Sequence, residues 1–85
     1  MTEIKRKRLL YQAQHRGMNE NDILLGGFAR KYMAELNDSE LDLFEALLEE
    51  WDADILYWLT GKAPVPALHD TPLWAKIMAY VKAEK

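Results

Sequence analysis

Hydrophobic residues recur every three or four positions along the middle of the chain, which is the spacing of an amphipathic helix. Residues 19–36 place one apolar stripe on a single helical face, and residues 38–51 form a stronger stripe with acids on the opposite face. The two stripes consist of Leu25, Phe28, Ala29, Tyr32 and Leu36, and of Leu41, Phe44, Leu47, Leu48 and Trp51. The pattern predicts two helices that bury these faces in a common core.

Capping residues and glycines mark the limits of the first three helices. A first helix is predicted for residues 2–14, with Thr2 as its N-cap and Gly17 as the break that follows. Asn19 is the predicted N-cap of the second helix, and the third is expected to start at Asp38 or Ser39, where Ser39 with Asp42 resembles a weak capping box. Short turns are therefore expected between these helices.

A fourth and a fifth helix complete the prediction. Residues 52–60 form a short helix that stops at Gly61, since glycine readily adopts the left-handed conformation found at helix C-termini. After a connector with two prolines, Thr71 is the predicted N-cap of the last helix and Pro72 its first residue. No segment alternates as a strand does. The sequence thus predicts an all-α, compact single-domain bundle of five helices over residues 1–85.

Two adjacent glycines, Gly26 and Gly27, interrupt the pattern of the second helix. Each of them costs about 1 kcal/mol of helix propensity relative to alanine. Glycines at such positions indicate either the close approach of another backbone or a bend in the helix.

The length and composition favour a binding or helper protein over an enzyme. With 85 residues the chain has room for one domain, and 49% hydrophobic with 29% charged residues is typical of a folded protein. A core of this size supplies a net stability of only about 3–5 kcal/mol, and it leaves little room for a substrate cleft or a large cofactor. We therefore expect a protein that is not an enzyme and that binds no cofactor tightly.

Residues that commonly carry chemistry are scarce. There is no cysteine, which excludes disulfides, thiolate metal ligands and a cysteine nucleophile. His15 and His69 are the only histidines, and neither has a second histidine or a carboxylate three or four residues further on. Ser39, the only serine, is a predicted cap, and the glycines match no phosphate-binding loop. A metal site and a catalytic nucleophile are therefore not expected.

Charge is separated along the chain, although the net charge is only −3. Residues 1–16 carry a net charge of +4 and residues 38–54 a net charge of −8. Two solvated helix faces and a docking surface for a charged partner both account for this separation. The basic run at residues 5–8 spreads around a whole helix and the chain is acidic overall, so nucleic-acid binding is not expected.

The N-terminal region lacks the apolar segment of a secretory signal, because the basic run is followed by only three apolar residues before Gln12. No apolar run approaches the roughly 18–20 residues that span a bilayer. Together with the absence of cysteine, these features predict a cytoplasmic protein that is not an integral membrane protein.

The tryptophans are expected mostly in the core, because Trp51 and Trp74 lie on predicted apolar faces. Trp58 shares this pattern, but Trp58 and Tyr57 lie on a short helix beside the proline-containing connector and are expected to be partly exposed. Exposed aromatic side chains are enriched at protein interfaces. Tyr57 and Trp58 are therefore candidate partner-binding residues.

The most unusual local sequence runs from His15 to Glu20. Gly17 fits a turn that needs a positive φ, and Glu20 lies in the first turn of the next helix, where the helix dipole favours an acid. A turn alone does not explain Arg16. Its guanidinium is either paired locally, for example with Glu20, or presented to a partner.

Residues 16–20, Arg-Gly-Met-Asn-Glu, resemble the RGxxE motif of the succinate dehydrogenase assembly factor family, whose bacterial members are FAD assembly factors of the SdhE type. The surroundings are similar in the same order. They comprise a basic first helix that ends in His15, a segment from Asp22 to Phe28, an acidic third helix, and residues 52–61, which end in Trp-Leu-Thr-Gly. The similarity covers about residues 3–80.

The resemblance implies a five-helix bundle that binds the flavoprotein subunit of succinate dehydrogenase, and in bacteria that of fumarate reductase. It implies that the chain promotes covalent attachment of FAD to a histidine of this client subunit. The same resemblance assigns Arg16, Gly17 and Glu20 to the client contact, and we expect Arg16 to pair there with a client carboxylate or polar loop. His15 and Met18 belong to the same expected contact. FAD belongs to the client, so the chain itself needs no bound cofactor.

The resemblance also implies an alternative function. Some bacterial members of the family carry an antitoxin label and are paired with a membrane-associated toxin. An antitoxin-type protein is therefore the second function that this sequence predicts.

Overall fold

Residues 2–84 are described by a computed structural model, in which five α-helices account for most of the chain. The helices are α1 (Thr2–Gln14), α2 (Asn19–Tyr32), α3 (Asp38–Leu48), α4 (Asp52–Leu59) and α5 (Pro72–Glu84), with 3₁₀ helices at Met33–Glu35 and Ala67–His69. No strand occurs within these residues, which confirms the predicted all-α bundle. Over the same part of the chain, no helix has the length and apolar composition needed to cross a membrane.

The core contains apolar side chains from all five helices, and Phe28 of α2 links three of them. The ring centroid of Phe28 lies 6.0 Å from that of Phe44 in α3 and 6.0 Å from that of Tyr80 in α5. The buried apolar residues are Leu9, Ala13, Leu25, Phe28, Ala29, Met33, Leu36, Leu41, Phe44, Leu47, Leu48, Ile55, Leu59, Leu73, Trp74, Ile77 and Val81. Both predicted stripes are therefore confirmed except at Tyr32, which is half-buried, and at Trp51.

Helices α1 and α2 pack closely because Gly26 has no side chain. A Cβ on Gly26 would lie 3.1 Å from the Gln14 Cα and 3.3 Å from the Ala13 carbonyl oxygen, both in the backbone of α1. A Cβ on Gly27 would instead collide with the Tyr80 hydroxyl of α5. The close approach of another backbone, which was one of the two interpretations of these glycines, is therefore confirmed at Gly26.

The core position expected for Trp51 is wrong. Helix α3 ends at Leu48 instead of continuing to residue 51, and Trp51 adopts an extended conformation (φ −69°, ψ 142°) just before α4. Trp51 is 79% exposed. Trp74 is buried as predicted, and Trp58 is half-buried against the core.

Helix α3 begins at Asp38, one of its two expected first residues, and is capped by Asn37 instead of Ser39. The Asn37 side chain accepts a hydrogen bond from the Glu40 N–H (2.8 Å), and the Glu40 carboxylate accepts one from the Asn37 N–H (3.1 Å). The prediction of Ser39 as N-cap is therefore wrong. Asn19 is likewise inside its helix, and Met18 occupies the N-cap position without a side-chain hydrogen bond.

Other helix boundaries follow the sequence more closely. The Thr71 hydroxyl accepts a hydrogen bond from the Trp74 N–H at 3.2 Å, and α5 begins at Pro72, as predicted. Gly61 has a φ of 76° just after α4, which confirms its predicted role as a stop. Thr2 is already part of α1, so its prediction as an N-cap is wrong.

The basic first helix and the acidic third helix pair with each other. Lys5 forms ion pairs with Asp42 and with Glu45 (3.4 Å), and Arg8 also pairs with Glu45. The hydrogen bond to Asp42 raises the pKa of the Lys5 ammonium above its ordinary value of 10.5. The interpretation of two separately solvated charged faces is therefore wrong for these residues, because part of the charge separation is used within the molecule.

Candidate functional site

The segment between α1 and α2 turns at Gly17, whose φ of 89° lies in the left-handed region. The positive φ predicted for this residue is therefore confirmed. A Cβ at this position would meet no atom within 4 Å. The backbone conformation thus favours glycine, and the open space around it leaves room for a close approach from outside.

Arg16, the residue before this turn, directs its guanidinium into the molecule, and its side chain is only 11% exposed. Nε donates to the Asp52 carboxylate at 2.5 Å. Nη1 donates to the Leu48 carbonyl at 2.6 Å, and Nη2 donates to the Glu50 carbonyl at 2.7 Å. The Arg16 N–H donates to the Asp22 carboxylate at 2.8 Å. Arg16 therefore connects the α1–α2 turn to the segment between α3 and α4.

The charges of these groups suit their places in the helices. The Leu48 carbonyl belongs to the last turn of α3, where carbonyls lack helical partners and the helix dipole favours a cation. Asp52 is the first residue of α4, where the dipole favours an anion. The Arg16 guanidinium therefore pairs with the Asp52 carboxylate and satisfies the Leu48 carbonyl at the end of α3.

Asn21 of α2 joins the same network and is fully buried. Its amide nitrogen donates to the Asp52 carbonyl at 2.9 Å and to the Asp52 carboxylate at 3.3 Å. Its Oδ1 has no hydrogen-bond partner among the described residues. Because an unpaired buried oxygen is unfavourable, we infer that the two bonds to Asp52 are the reason for an asparagine at this position.

The local pairing of Arg16 is confirmed, but Glu20 as its partner is wrong. Arg16 pairs with Asp52, whereas Glu20 is exposed in the first turn of α2. Glu20 lines a shallow depression of about 230 Å³ with Ile23 of the same helix and Thr60 at the end of α4. The carboxylate of Glu20 is therefore accessible from solvent.

A larger open groove of about 540 Å³ lies beside α1. It is lined by Arg8, Tyr11, Gln12, His15, Arg16, Glu45, Leu48, Glu49 and Asp52. His15 is exposed, and its ring stacks on that of Tyr11 with the centroids 4.3 Å apart. Within the described part of the chain, no group of three or more His, Cys, Asp or Glu side chains is placed to hold a metal ion.

The remaining predicted partner-binding residues differ in accessibility. Met18 is half-buried, Tyr57 is 51% exposed, and Trp58 is half-buried with its ring centroid 5.7 Å from that of His69. The predicted partial exposure of Tyr57 and Trp58 is thus confirmed. The predicted contact residues that are exposed are His15, Gly17, Glu20 and Tyr57.

Two contacts of this region were not predicted from the sequence. Asp52 pairs with Arg16 across 36 positions, and Nε2 of the buried His69 lies 2.5 Å from a Glu50 carboxylate oxygen across 19 positions. Several acids occur in this part of the sequence, so the pattern does not indicate which of them is paired. The sequence does contain one sign that Trp51 is exposed. Acids lie on both sides of it, and burying Trp51 would bring their carboxylates towards the core.

Comparison with protein families gives one match over most of the chain. Residues 7–81 match a family described as "Flavinator of succinate dehydrogenase". The matched region includes the whole of α2, α3 and α4 and the turn that contains Arg16 and Gly17.

The chain is similar to several curated proteins that are named succinate dehydrogenase assembly factor 2, mitochondrial. The protein from Scheffersomyces stipitis is 44% identical over 82 residues, which cover 96% of this chain and 55% of that protein. The one from Saccharomyces cerevisiae is 46% identical over 71 residues, covering 84% and 43%. The one from Drosophila grimshawi is 38% identical over 81 residues, covering 93% and 55%. The chain spans about half the length of these relatives.

Proposed function

Because the chain belongs to the family of flavinators of succinate dehydrogenase, we propose that it binds the flavoprotein subunit of succinate dehydrogenase and promotes covalent attachment of FAD to that subunit. The observation that carries this proposal is the family match over residues 7–81. We extend the proposal to the flavoprotein subunit of fumarate reductase as a second client, in line with the resemblance of the RGxxE segment.

The proposed contact with the client centres on Gly17 and Glu20. The open space at Gly17 would admit a client backbone, and Glu20 offers an exposed carboxylate one helical turn away. His15 and Tyr57 are exposed and extend this surface, while the half-buried Met18 and Trp58 support it. The contact would thus be made mainly by side chains that the bundle already presents.

The proposed contribution of the chain is position and not a catalytic group. Covalent attachment requires that a client histidine and the flavin ring be held against each other, and correct placement of reacting groups can supply a large part of a barrier reduction. A small helical bundle bound to a mobile part of the client would restrict its movement. FAD is bound by the client in this proposal.

The cytoplasmic location stays a prediction. The names of the similar proteins assign those proteins to mitochondria. We propose that the present chain acts where its client flavoprotein folds, and that this place is the cytoplasm.

Deletion of the chain tests the proposed function. In cells that lack it, the flavoprotein subunit on a denaturing gel should lose most of its flavin fluorescence, since only covalently bound flavin survives denaturation. Re-expression should restore the signal. Normal fluorescence in the deletion strain would contradict the proposal, and a growth defect relieved by removing a toxin would then support the antitoxin alternative.

The contact surface is tested by Gly17→Leu. A leucine at a positive φ costs about 1–2 kcal/mol of stability but meets no neighbouring atom, so the bundle should stay folded by circular dichroism. Binding to the client in a pull-down should be lost. Ala34→Leu is the control, because Ala34 is also exposed but lies just beyond the opposite end of α2 from Gly17. If Gly17→Leu retained as much binding as Ala34→Leu, the assignment of Gly17 to the contact would be wrong.

A further inference from the structure

We propose that Arg16 is a positioning residue for client binding, and that Trp51, which it holds outward, is the side chain that enters the client. This inference rests on the proposed function, since it takes the flavoprotein subunit as the partner. It differs from the expectation that Arg16 itself reaches the client.

The sequence of α3 favours a longer helix than the one that forms. Trp51 follows Leu47 and Leu48 at helical spacing, so an uninterrupted helix would carry Trp51 onto the buried face. Instead α3 ends at Leu48, and its last turn tightens with a hydrogen bond from the Glu50 N–H to the Leu47 carbonyl (3.1 Å). Something outside the helix must therefore stop it.

Arg16 occupies the carbonyls that a longer helix would need. In a continuous α-helix the carbonyls of residues 48 and 50 accept hydrogen bonds from the N–H groups of residues 52 and 54. In this structure the Leu48 and Glu50 carbonyls accept from Nη1 and Nη2 of Arg16, and Nε holds the Asp52 side chain. The guanidinium thus ends α3, starts α4, and leaves Trp51 between them in an extended conformation.

Trp51 is highly exposed in a setting that indicates the chemistry of a partner. Tryptophan is among the residues most enriched at interface hot spots, and Trp51, at 79%, is the most exposed large hydrophobic residue of the described part of the chain. Glu49 and Asp54 lie two residues before and three residues after it in the sequence, and both are exposed. Neither forms an ion pair with any residue that the structure describes.

The partner surface that fits Trp51 is an apolar pocket of the client that is surrounded by lysine or arginine side chains. The indole would fill the pocket, and the free carboxylates of Glu49 and Asp54 would face the rim. Continuity with the contact proposed above supports the same partner. Gly17 directly follows Arg16, and Trp51 lies between two residues to which Arg16 is hydrogen-bonded.

The first experiment measures the affinity of purified variants for the purified flavoprotein subunit. Trp51→Ala should raise Kd about tenfold or more without changing helix content, as expected for loss of a hot-spot residue. Ile4→Ala, which removes another exposed apolar side chain at the start of α1, should change Kd less than about twofold. Asp54→Lys should also weaken binding. An unchanged Kd for Trp51→Ala would overturn the inference.

The second experiment asks whether Arg16 acts through Trp51. Arg16→Lys keeps the charge but cannot make the three guanidinium bonds, so it should weaken client binding in the wild-type background. In a Trp51→Ala background Arg16→Lys should weaken client binding little further, because the side chain through which Arg16 acts is already absent. Independent, multiplying effects would show that Arg16 acts on client binding by a route other than Trp51, and they would overturn the inference.

A spectroscopic readout separates positioning from a general loss of structure. In protein labelled with 5-fluorotryptophan, the ¹⁹F resonance of Trp51, assigned with Trp51→Phe, should show the solvent-isotope shift of an exposed indole. In the Arg16→Lys variant the solvent-isotope shift of the Trp51 resonance should decrease, while the chemical shift of the Trp74 resonance should not change. An unchanged Trp51 resonance would contradict the positioning role. Failure of the wild-type chain to bind the subunit would instead contradict the proposed function itself.

Discussion

Arg16 stabilises the molecule through a set of contacts that suits the arginine side chain. Its planar guanidinium directs three N–H donors at Asp52, Leu48 and Glu50, whereas a lysine ammonium is a single point charge on a flexible stem. The other strongly basic residues lie nearer the surface, and Arg8, for example, is about half exposed where it pairs with Glu45. Comparing the removal of each arginine therefore tests how strongly burial determines the contribution of an ion pair to the free energy of unfolding.

At this scale we predict that Arg16→Ala destabilises the protein by about 2–3 kcal/mol, because it leaves the Asp52 carboxylate and two carbonyls without their donor. Arg8→Ala should cost less than about 1 kcal/mol, as is usual for an exposed ion pair. Urea unfolding followed by circular dichroism measures both. Equal effects of the two substitutions would mean that the Arg16 network contributes no more than a surface pair.

The limits of the helices show what the sequence could and could not predict. The buried faces of α2 and α3 follow from apolar spacing, the end of α1 follows from the break at Gly17, and the end of α4 follows from Gly61. The end of α3 does not, because it is set by Arg16, more than 30 positions away in the chain. Trp51 was therefore assigned to the core on a spacing that the helix does not continue. A contact between distant residues overrides local periodicity at this point.

Packing between α1 and α2 gives a second prediction, at the scale of the helix pair. Gly26→Ala should destabilise the protein by about 1–2 kcal/mol, although alanine gains about 1 kcal/mol of helix propensity. The added Cβ would lie 3.1 Å from the Gln14 Cα, so α1 must move. Gly27→Ala should cost less, because it meets the end of the Tyr80 side chain and no other backbone. Thermal unfolding of the two variants distinguishes them, and a Gly26→Ala protein more stable than wild type would contradict the packing argument.

A third prediction concerns Glu40, which ties the start of α3 to α5. The hydrogen bond from Lys76 (2.6 Å), followed by that from the Asn37 N–H, lowers the pKa of the Glu40 carboxyl below 4.5. A carboxyl with a lowered folded-state pKa contributes stability above its unfolded-state pKa and loses it as the pH falls through the folded-state value. Stability from Glu40 should therefore be complete near neutral pH and disappear below pH 4.5.

Glu40→Gln isolates this contribution, since its amide oxygen can still accept from the Asn37 N–H. The difference in urea midpoint between wild type and Glu40→Gln should be largest near neutral pH and shrink as the solution is acidified. In a Lys76→Met background the difference should be small at every pH, because the main cause of the lowered pKa is gone. A difference that stays constant on acidification would contradict this role of Glu40.

In the whole molecule, part of the charge separation along the sequence joins helices. Lys5 and Arg8 of α1 pair with acids of α3, and the acids left exposed include Glu49 and Asp54, two residues before and three residues after Trp51. Net charge by segment indicated that opposite charges were present, but it could not indicate that they face each other, because this depends on how the helices pack. The same holds for Arg16. The RGxxE motif indicates the segment that contains it, but the direction of its side chain depends on how the helices pack.

The central claim is that this chain promotes flavin attachment to a client subunit, and its most direct test uses purified components. The flavoprotein subunit lacking covalent flavin is mixed with FAD, with and without the chain, and covalent flavin per subunit is followed over time by fluorescence in a denaturing gel. We predict that the chain accelerates attachment and that Gly17→Leu does not. An equal rate with and without the folded wild-type chain would contradict the account.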